Sequence, residues 1–191
     1  MSVHSAPVTI LAPRELRDLV YRCCRVEGID PGTADRFADN LLHAQIHRGA
    51  SVETFLSILA SSTSSTHDLA RVVAAADRVE LAEATARSEG AATATFDSAV
   101  PLSALSLSLW RAAERDIASI GISVTAPGDQ HVESVELVSE ALDQTARASA
   151  QQRNLTAHQQ GLSVATSAFV QLESHAASFL VAEMKLDAVT P

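Results

Sequence analysis

Aromatic residues, long apolar runs and glycine clusters are all scarce in this sequence, and each scarcity excludes a class of function. Phe, Trp and Tyr make up only 4% of the residues, which leaves few rings on which nucleobases could stack. The seven glycines are scattered, so no glycine-rich loop could cradle a phosphate. No apolar run approaches the roughly 18 residues of a membrane span, and no secretory signal is recognisable. These absences predict a soluble, cytoplasmic protein with no membrane partner.

Cysteine is also rare, because Cys23 and Cys24 are the only two in the chain. They are adjacent in a predicted helix, where neighbouring side chains point about 100° apart and do not easily form a disulfide. A zinc site would need a second cysteine pair or nearby histidines. We therefore expect two buried thiols, no metal and no bound cofactor.

Positive charge is in the minority. The formal net charge is −9 at pH 7, and no run of five or more basic residues occurs. Affinity for nucleic acid comes mainly from lysine and arginine contacts to phosphates, so an acidic chain is a poor candidate. Nucleic acid is not an expected partner.

Small apolar residues are abundant instead. The composition is 47% hydrophobic, dominated by alanine, leucine and valine together with serine. At 191 residues the chain fits a single domain, 1–191, that buries about 70% of its unfolded surface. Helices rich in alanine and serine can approach one another closely, which favours subunit packing and a homo-oligomer.

Hydrophobic periodicity predicts helices along most of the N-terminal part. Residues 1–12 are a loosely held arm or short strand (Val8–Leu11), and residues 61–68 form a serine- and threonine-rich loop. Proline, Asp-Pro and serine start signals and glycine stop signals delimit the helices. These helices are expected at Pro13–Gly28, Asp30–Gly49 and Ser51–Leu59.

Alternating patterns predict a small sheet after that loop. Val79–Glu83 and Ala92–Phe96 alternate with period two and are separated by a turn, so a hairpin is expected after a short helix at Ala70–Ala76. A helix from Pro101 to Ala118, a strand at Gly121–Thr125, a loop at Pro127–Asp129, a helix at Glu133–Arg153, an extended link at Gly161–Thr166 and a helix at Ser167–Leu186 follow. The fold class is α+β, a small sheet with a hairpin covered by several amphipathic helices.

The segment Leu42–Glu53 carries a resemblance to a known family. Its Arg48-Gly49 helix stop and restart at Ser51 resemble the N-terminal part of the malate/L-lactate dehydrogenases, the NAD(P)-dependent enzymes without a Rossmann fold. Residues 92–97 and 120–124 look like a strand–helix–strand unit of that family, and 128–132 is similar to its Asn-His-Phe-Gly segment.

The resemblance implies a site whose catalytic histidine is missing. The family reads roughly Arg-Gly-His-Asp-Ser-His-Gly, and Glu53 stands here at the catalytic second histidine, with Ala50 at the first. Arg48 and Ser51 are then the candidate substrate-binding residues, and Glu53 and His131 the candidate catalytic residues. Each has a structural alternative, since arginine near a helix end and glutamate in a first turn both favour the helix dipole.

His43 and His47 are spaced four residues apart, which suits a metal on one helical face. In a zinc protease a glutamate directly follows the first histidine, whereas Ala44 follows His43 here. The two histidines also fall opposite the apolar face of Phe37 and Leu41, which predicts a solvated polar face instead.

Three functions remain open, one of which is a diminished NAD(P) site that persists on the dehydrogenase-like scaffold. The first is an enzyme on the dehydrogenase-like scaffold that acts on an oxo- or hydroxy-carboxylic acid without hydride transfer, by isomerisation, elimination or cyclisation. The second is a non-catalytic homo-oligomeric protein for binding or assembly. If a ligand binds, we expect a carboxylate between Arg48–Glu53 and Gly128–His131.

Overall fold

The computed structural model describes residues 7–62, 66–120, 122 and 129–187. In chain order the elements are β1 (Val8–Leu11), α1 (Pro13–Val26), α2 (Pro31–His47), α3 (Ser51–Ser62), α4 (Thr66–Glu89), β2 (Ala91–Pro101), a 3-10 turn (Leu102–Ala104), α5 (Ser106–Glu114), β3 (Ile117–Ile120), β4 (His131–Ser139), α6 (Gln144–Gln160), β5 (Leu162–Ala165) and α7 (Thr166–Asp187).

Helices and antiparallel strands combine in this chain, which confirms the predicted α+β class. Strands β2, β4 and β3 form a three-stranded antiparallel sheet in that spatial order, and β1 pairs with β5 in a separate two-stranded sheet. Thr93 lies opposite Glu136 in the larger sheet, and Val8 lies opposite Ala165 in the smaller one. No helix within the described residues is long and apolar enough to cross a membrane.

Helix α2 is the central element, because it contacts α1, α3, α4, α5 and α6. The side chain of Asp30 accepts a hydrogen bond from the Thr33 amide at 3.0 Å, and Pro31 occupies the first turn, so the helix start is specified locally. Gly49 and Ala50 both have positive φ, and this sharp corner leads directly into α3. The starts predicted at Pro13, Pro31 and Ser51 are all confirmed.

The predicted hairpin is wrong, because the segment Val79–Glu83 belongs to the long helix α4 and β2 is not paired with it. Val79, Ala82, Glu83 and Ala86 are buried while Leu81 is 71% exposed, which is a helical spacing and not an alternating one. Short segments of Val, Glu, Leu and Ala fit both periods, so packing of α4 on the sheet decides the outcome.

An ion pair between a buried carboxylate and an exposed guanidinium fixes this long helix to the end of α5. The Glu83 carboxylate, buried on α4, accepts a hydrogen bond from Nε of Arg115 at 2.6 Å and a second from its Nη2. Two parallel bonds to one guanidinium set both the distance and the angle between the elements.

The helix predicted for Glu133–Arg153 is wrong in its first part and confirmed only from Gln144 onwards. Residues 131–139 form β4, the middle strand of the larger sheet, and α6 begins only at Gln144, where Asp143 caps it. Val135 and Leu137 alternate towards the core, and pairing with two neighbouring strands outweighs the helical propensity of the glutamates and leucine.

Smaller boundary differences complete the comparison. The helix expected from Pro101 to Ala118 is a 3-10 turn followed by the shorter α5, and β3 occupies Ile117–Ile120. The strand expected at Gly121–Thr125 lies outside the described residues except for Ile122. Within the loop predicted at 61–68, α3 extends through Ser62 and α4 begins at Thr66, whereas 63–65 lie outside the described residues. Positions 121 and 123–128 are likewise outside them. The strand at Val8–Leu11, the extended link before Thr166 and the last helix are confirmed.

The helical assignment of α4 predicts opposite outcomes at two adjacent positions. Leu81→Lys is expected to change the free energy of unfolding by less than about 0.5 kcal/mol, because the side chain lies in solvent. Ala82→Lys is expected to cost about 3 kcal/mol or more, because Ala82 is 7% exposed and an unpaired ammonium would be buried there. Urea denaturation of both variants measures the difference; equal costs would contradict the helix.

Candidate functional site

A cavity of about 440 Å³ lies between α2, α5, β3 and the first half of α6. This volume falls within the range of roughly 300–1,000 Å³ that is usual for small-molecule sites. Its walls are mainly apolar, with a few polar groups at defined places. The polar lining comprises His43, His47, Ser106, Ser119, Asp143, Thr145, Ser149 and Arg153, and the larger apolar lining comprises Leu109, Trp110, Ile122 and Leu142.

His43 and His47 form the floor of the cleft together with the only tryptophan of the chain. Their ring centroids lie 4.1 Å apart, and the Trp110 ring lies 6.0 Å from His43 and 6.3 Å from His47, nearly parallel to the latter. The solvated polar face predicted for these histidines is therefore wrong, since both side chains are half-buried. The reason is that α5 and α6 pack on the side of α2 opposite its apolar face.

The amide of Asn40 positions α5 against this floor. Its Oδ1 accepts hydrogen bonds from the backbone amides of Leu107 and Ser108, at 2.9 and 3.1 Å, and no residue at the start of α5 caps the helix with its own side chain. Its Nδ2 donates to the Arg36 carbonyl at 3.0 Å. A buried side chain of α2 thus satisfies the free N–H groups of another helix, which fixes how α5 meets α2.

His43 lies one turn further along α2 and contacts the first residue of α5. Its Nδ1 is 2.8 Å from Oγ of Ser106, whereas its buried Nε2 has no hydrogen-bond partner among the described residues. Burial, followed by the positive charge of His47 and of Arg153, lowers the pKa of His43 to about 3. The imidazole is therefore neutral near pH 7.

His47 joins α2 to α6. Its Nδ1 accepts a hydrogen bond from Nε of Arg153 at 2.9 Å, and its Nε2 lies 3.2 Å from Oδ1 of Asn154. Since Arg153 can only donate and Oδ1 can only accept, these contacts require the neutral tautomer with hydrogen on Nε2. Burial and then Arg153 lower the pKa of His47 to about 4, and Asn154 offsets this in part.

This arrangement suits recognition better than proton transfer. An efficient general base has a pKa near the working pH, and pKa values of about 3 and 4 lie well below 7. Ser106 contacts His43, but so weak a base would activate its hydroxyl poorly. No group of three or more His, Cys, Asp or Glu residues in the described part of the chain could hold a metal ion.

Arg48, a predicted substrate-binding residue, lies outside this cleft. It is half-buried at the end of α2, and burial lowers its pKa while the charge of Asp129 partly restores it. Asp129 in turn accepts a hydrogen bond from the Ser103 amide at 3.0 Å. Arg48 and Asp129 therefore lie near each other, whereas Gly128 lies outside the described residues. The carboxylate site expected between these two segments stays a prediction.

Ser51, Glu53 and His131 are not brought together as one site. Ser51 is fully buried, and its Oγ donates to Oε1 of Gln45 at 2.8 Å, so it closes the corner between α2 and α3 and presents no surface to a ligand. Glu53 is exposed on the first turn of α3. His131 is exposed and borders a separate pocket of about 300 Å³ with Thr54 and Ser57 of α3. The catalytic roles of Glu53 and His131 stay predictions.

Sequence reasoning missed four residues that build the cleft: Asn40, Ser106, Trp110 and Arg153. Two signals pointed towards it, namely the spacing of His43 and His47 and the presence of a single tryptophan. Arg153 gave no signal, because the sequence places it on a helix but does not indicate that this helix packs beside His47. Comparisons of this chain with family models, with curated proteins and with solved structures gave no match.

The position of Asn40 predicts a measurable cost for its removal. Asn40→Ala is expected to lower the free energy of unfolding by about 2 kcal/mol, because it removes a helix cap and leaves buried N–H groups without an acceptor. Trp110 fluorescence should shift to the red as the start of α5 loosens. Gln151→Ala, on the exposed face of α6, is the control and should be neutral. A neutral Asn40→Ala would show that α5 starts without this cap.

Proposed function

We propose that the protein binds a small carboxylic acid with an apolar body in the cleft of His43, His47, Trp110 and Arg153. The observation that carries the proposal is the composition of the walls. A guanidinium and two neutral imidazoles stand at one side of a cavity that is otherwise mainly apolar. Such a cavity, with few polar groups at fixed positions, is the usual form of a small-molecule site.

The cation of the cleft supports an anionic ligand. Arg153 supplies the positive charge among the residues that line the cavity, and the geometry of its guanidinium matches that of a carboxylate. The hydroxyls of Ser106 and Ser119 are further polar groups for the same ligand. Asp143 also lines the cavity, but its carboxylate is engaged at the start of α6, where it accepts from the Thr145 amide at 3.1 Å.

The ligand class agrees with the resemblance noted in the sequence. A protein resembling the malate/L-lactate dehydrogenases is expected to take an oxo or hydroxy acid, and Arg153 here has the role that the sequence suggested for Arg48. We prefer a binding function to isomerisation, elimination or cyclisation, because those reactions need a proton carrier that works near neutral pH. An anionic ligand beside the imidazoles would raise their pKa and make them better proton carriers near pH 7. An enzyme that acts on the bound acid is therefore compatible with the same binding site.

Titration of Trp110 fluorescence with branched-chain oxo acids, and with pyruvate as the shortest member, tests the ligand. Longer apolar chains are expected to bind more tightly, by about 0.8 kcal/mol for each buried methylene group. Arg153→Met should weaken binding about tenfold or more, as expected for a lost hydrogen bond to a charged group. Arg147→Met is the matched control, because Arg147 lies on α6 but pairs with Asp116 away from the cavity. Equal affinity in both variants, or for the corresponding uncharged amides, would exclude a carboxylate site here.

Self-association is the second candidate function, and the small sheet favours it. Val8 and Ile10 on β1 are 60% and 58% exposed, and within the described residues β1 pairs only with β5. An exposed apolar strand with a free edge can pair with a second copy. This supports the homo-oligomer expected from the sequence.

Light scattering on purified protein at micromolar concentration tests the assembly. A homodimer should give about twice the monomer mass of 20.1 kDa. Ile10→Lys should return the mass to that of the monomer, because a charge on an edge strand opposes pairing. Leu81→Lys, at an exposed position of α4, should not change the mass. A monomeric wild-type protein would reject this candidate.

A further inference from the structure

We propose that the contact between Arg153 and His47 is an acid-sensitive latch, which holds α6 over the cleft when His47 is neutral and releases it when His47 is protonated. The latch is a property of the protein without ligand. Only its consequence, control of access to the cleft, rests on the proposed function.

Helix α6 is held to the rest of the chain at few points. Only Ala150 and Ala157 are buried among its residues from Gln144 to Gln160, and its other faces are largely exposed. A helix with so little buried apolar surface has low local stability and opens more easily than the core helices. The hydrogen bonds that His47 accepts from Arg153 and donates to Asn154 therefore contribute strongly to keeping α6 closed.

The hydrogen bond from Arg153 requires a lone pair on His47. Nδ1 of His47 accepts from Nε of Arg153 at 2.9 Å, and protonation would add hydrogen to that same nitrogen. Two N–H groups would then face each other, and the half-buried imidazolium would lie about 3 Å from the cationic side chain of Arg153, which is exposed. The proton comes from solvent, and no other reactant is needed.

The surroundings of His47 are mainly positive. Arg153 faces it from α6, His43 from the preceding turn of α2, and Arg111 on α5 acts on the adjoining His43. Among the residues that line the cavity, negative charge comes from Asp143, which precedes the first residue of α6. Protonation therefore adds charge to a cluster that already repels it, and movement of α6 removes both Arg153 and the repulsion.

The sign of the pH effect follows from the lowered pKa of His47. With α6 closed the pKa is about 4, and with α6 open it returns towards the ordinary value of about 6.5. The open form thus binds the proton more tightly. Closure is fully favoured above about pH 6.5, weakens as pH falls through the interval down to about 4, and loses nothing further below that.

Hydrogen exchange on the full chain without ligand tests the latch. Exchange, corrected for intrinsic rates, is measured for peptides of α6 (Gln144–Gln160) and of α1 (Pro13–Val26) between pH 7 and pH 4. We expect α6 to lose protection by about tenfold or more over this range while α1 keeps its protection. His47→Gln should abolish the change, because an amide can accept from Arg153 and donate to Asn154 but does not titrate. His158→Gln, at the exposed end of α6, is the matched control and should behave as the wild type.

Any different outcome contradicts the latch. Simultaneous loss of protection in α1 and α6 would mean global acid unfolding, and an acid response that persists in His47→Gln would place the titrating group elsewhere. If His47→Gln does not fold, Arg153→Met replaces it and should leave α6 weakly protected at every pH; a normal acid response in that variant would overturn the proposal. Since no ligand is used, failure here leaves the carboxylate proposal standing, and failure of ligand binding leaves the latch standing.

Discussion

The contact between the Asn40 amide and the start of α5 is the interaction on which the cleft depends. It places a polar group of α2 under the free amides of Leu107 and Ser108, so the two helices meet at one angle and one register. His43, one turn along α2, then meets Ser106 at the first residue of α5, and Trp110 follows one turn later. Floor and wall of the cleft are therefore set by a single buried side chain.

Helix α2 is covered on both faces, and the two coverings differ in strength. Phe37 and Leu41 pack into the core on one face, where burial of large apolar groups dominates. On the other face His43 and His47 contact α5 and α6 through hydrogen bonds. The net stabilisation from each hydrogen bond is smaller than that from burying a large apolar side chain. The core can thus stay intact while the polar side opens, which places any movement of the protein at the cleft.

The parts of the fold that could be predicted from sequence are those with local signals. Pro13, Asp30-Pro31 and Ser51 start helices through groups within a few residues, and the structure starts α1, α2 and α3 there. Val79–Glu83 and Glu133–Arg153 have no such signals, and their outcome depends on partners far along the chain: the sheet under α4, and the two strands that flank β4. The site could not be predicted for the same reason, because Arg153 contacts His47 only in the folded chain, where α6 packs beside a residue more than a hundred positions earlier.

The composition explains why a cavity exists at this place at all. The cleft is lined between its polar groups by short side chains, including Ala113, Ala118, Ala146 and Ser149. Where two helices are parallel neighbours, such residues let the backbones approach closely, as the alanine- and serine-rich sequence suggested. Here α2, α5, β3 and α6 surround the cavity, and short side chains do not fill the space between them. With few large aromatic residues available, the one tryptophan covers part of the wall and leaves the remainder open to a ligand.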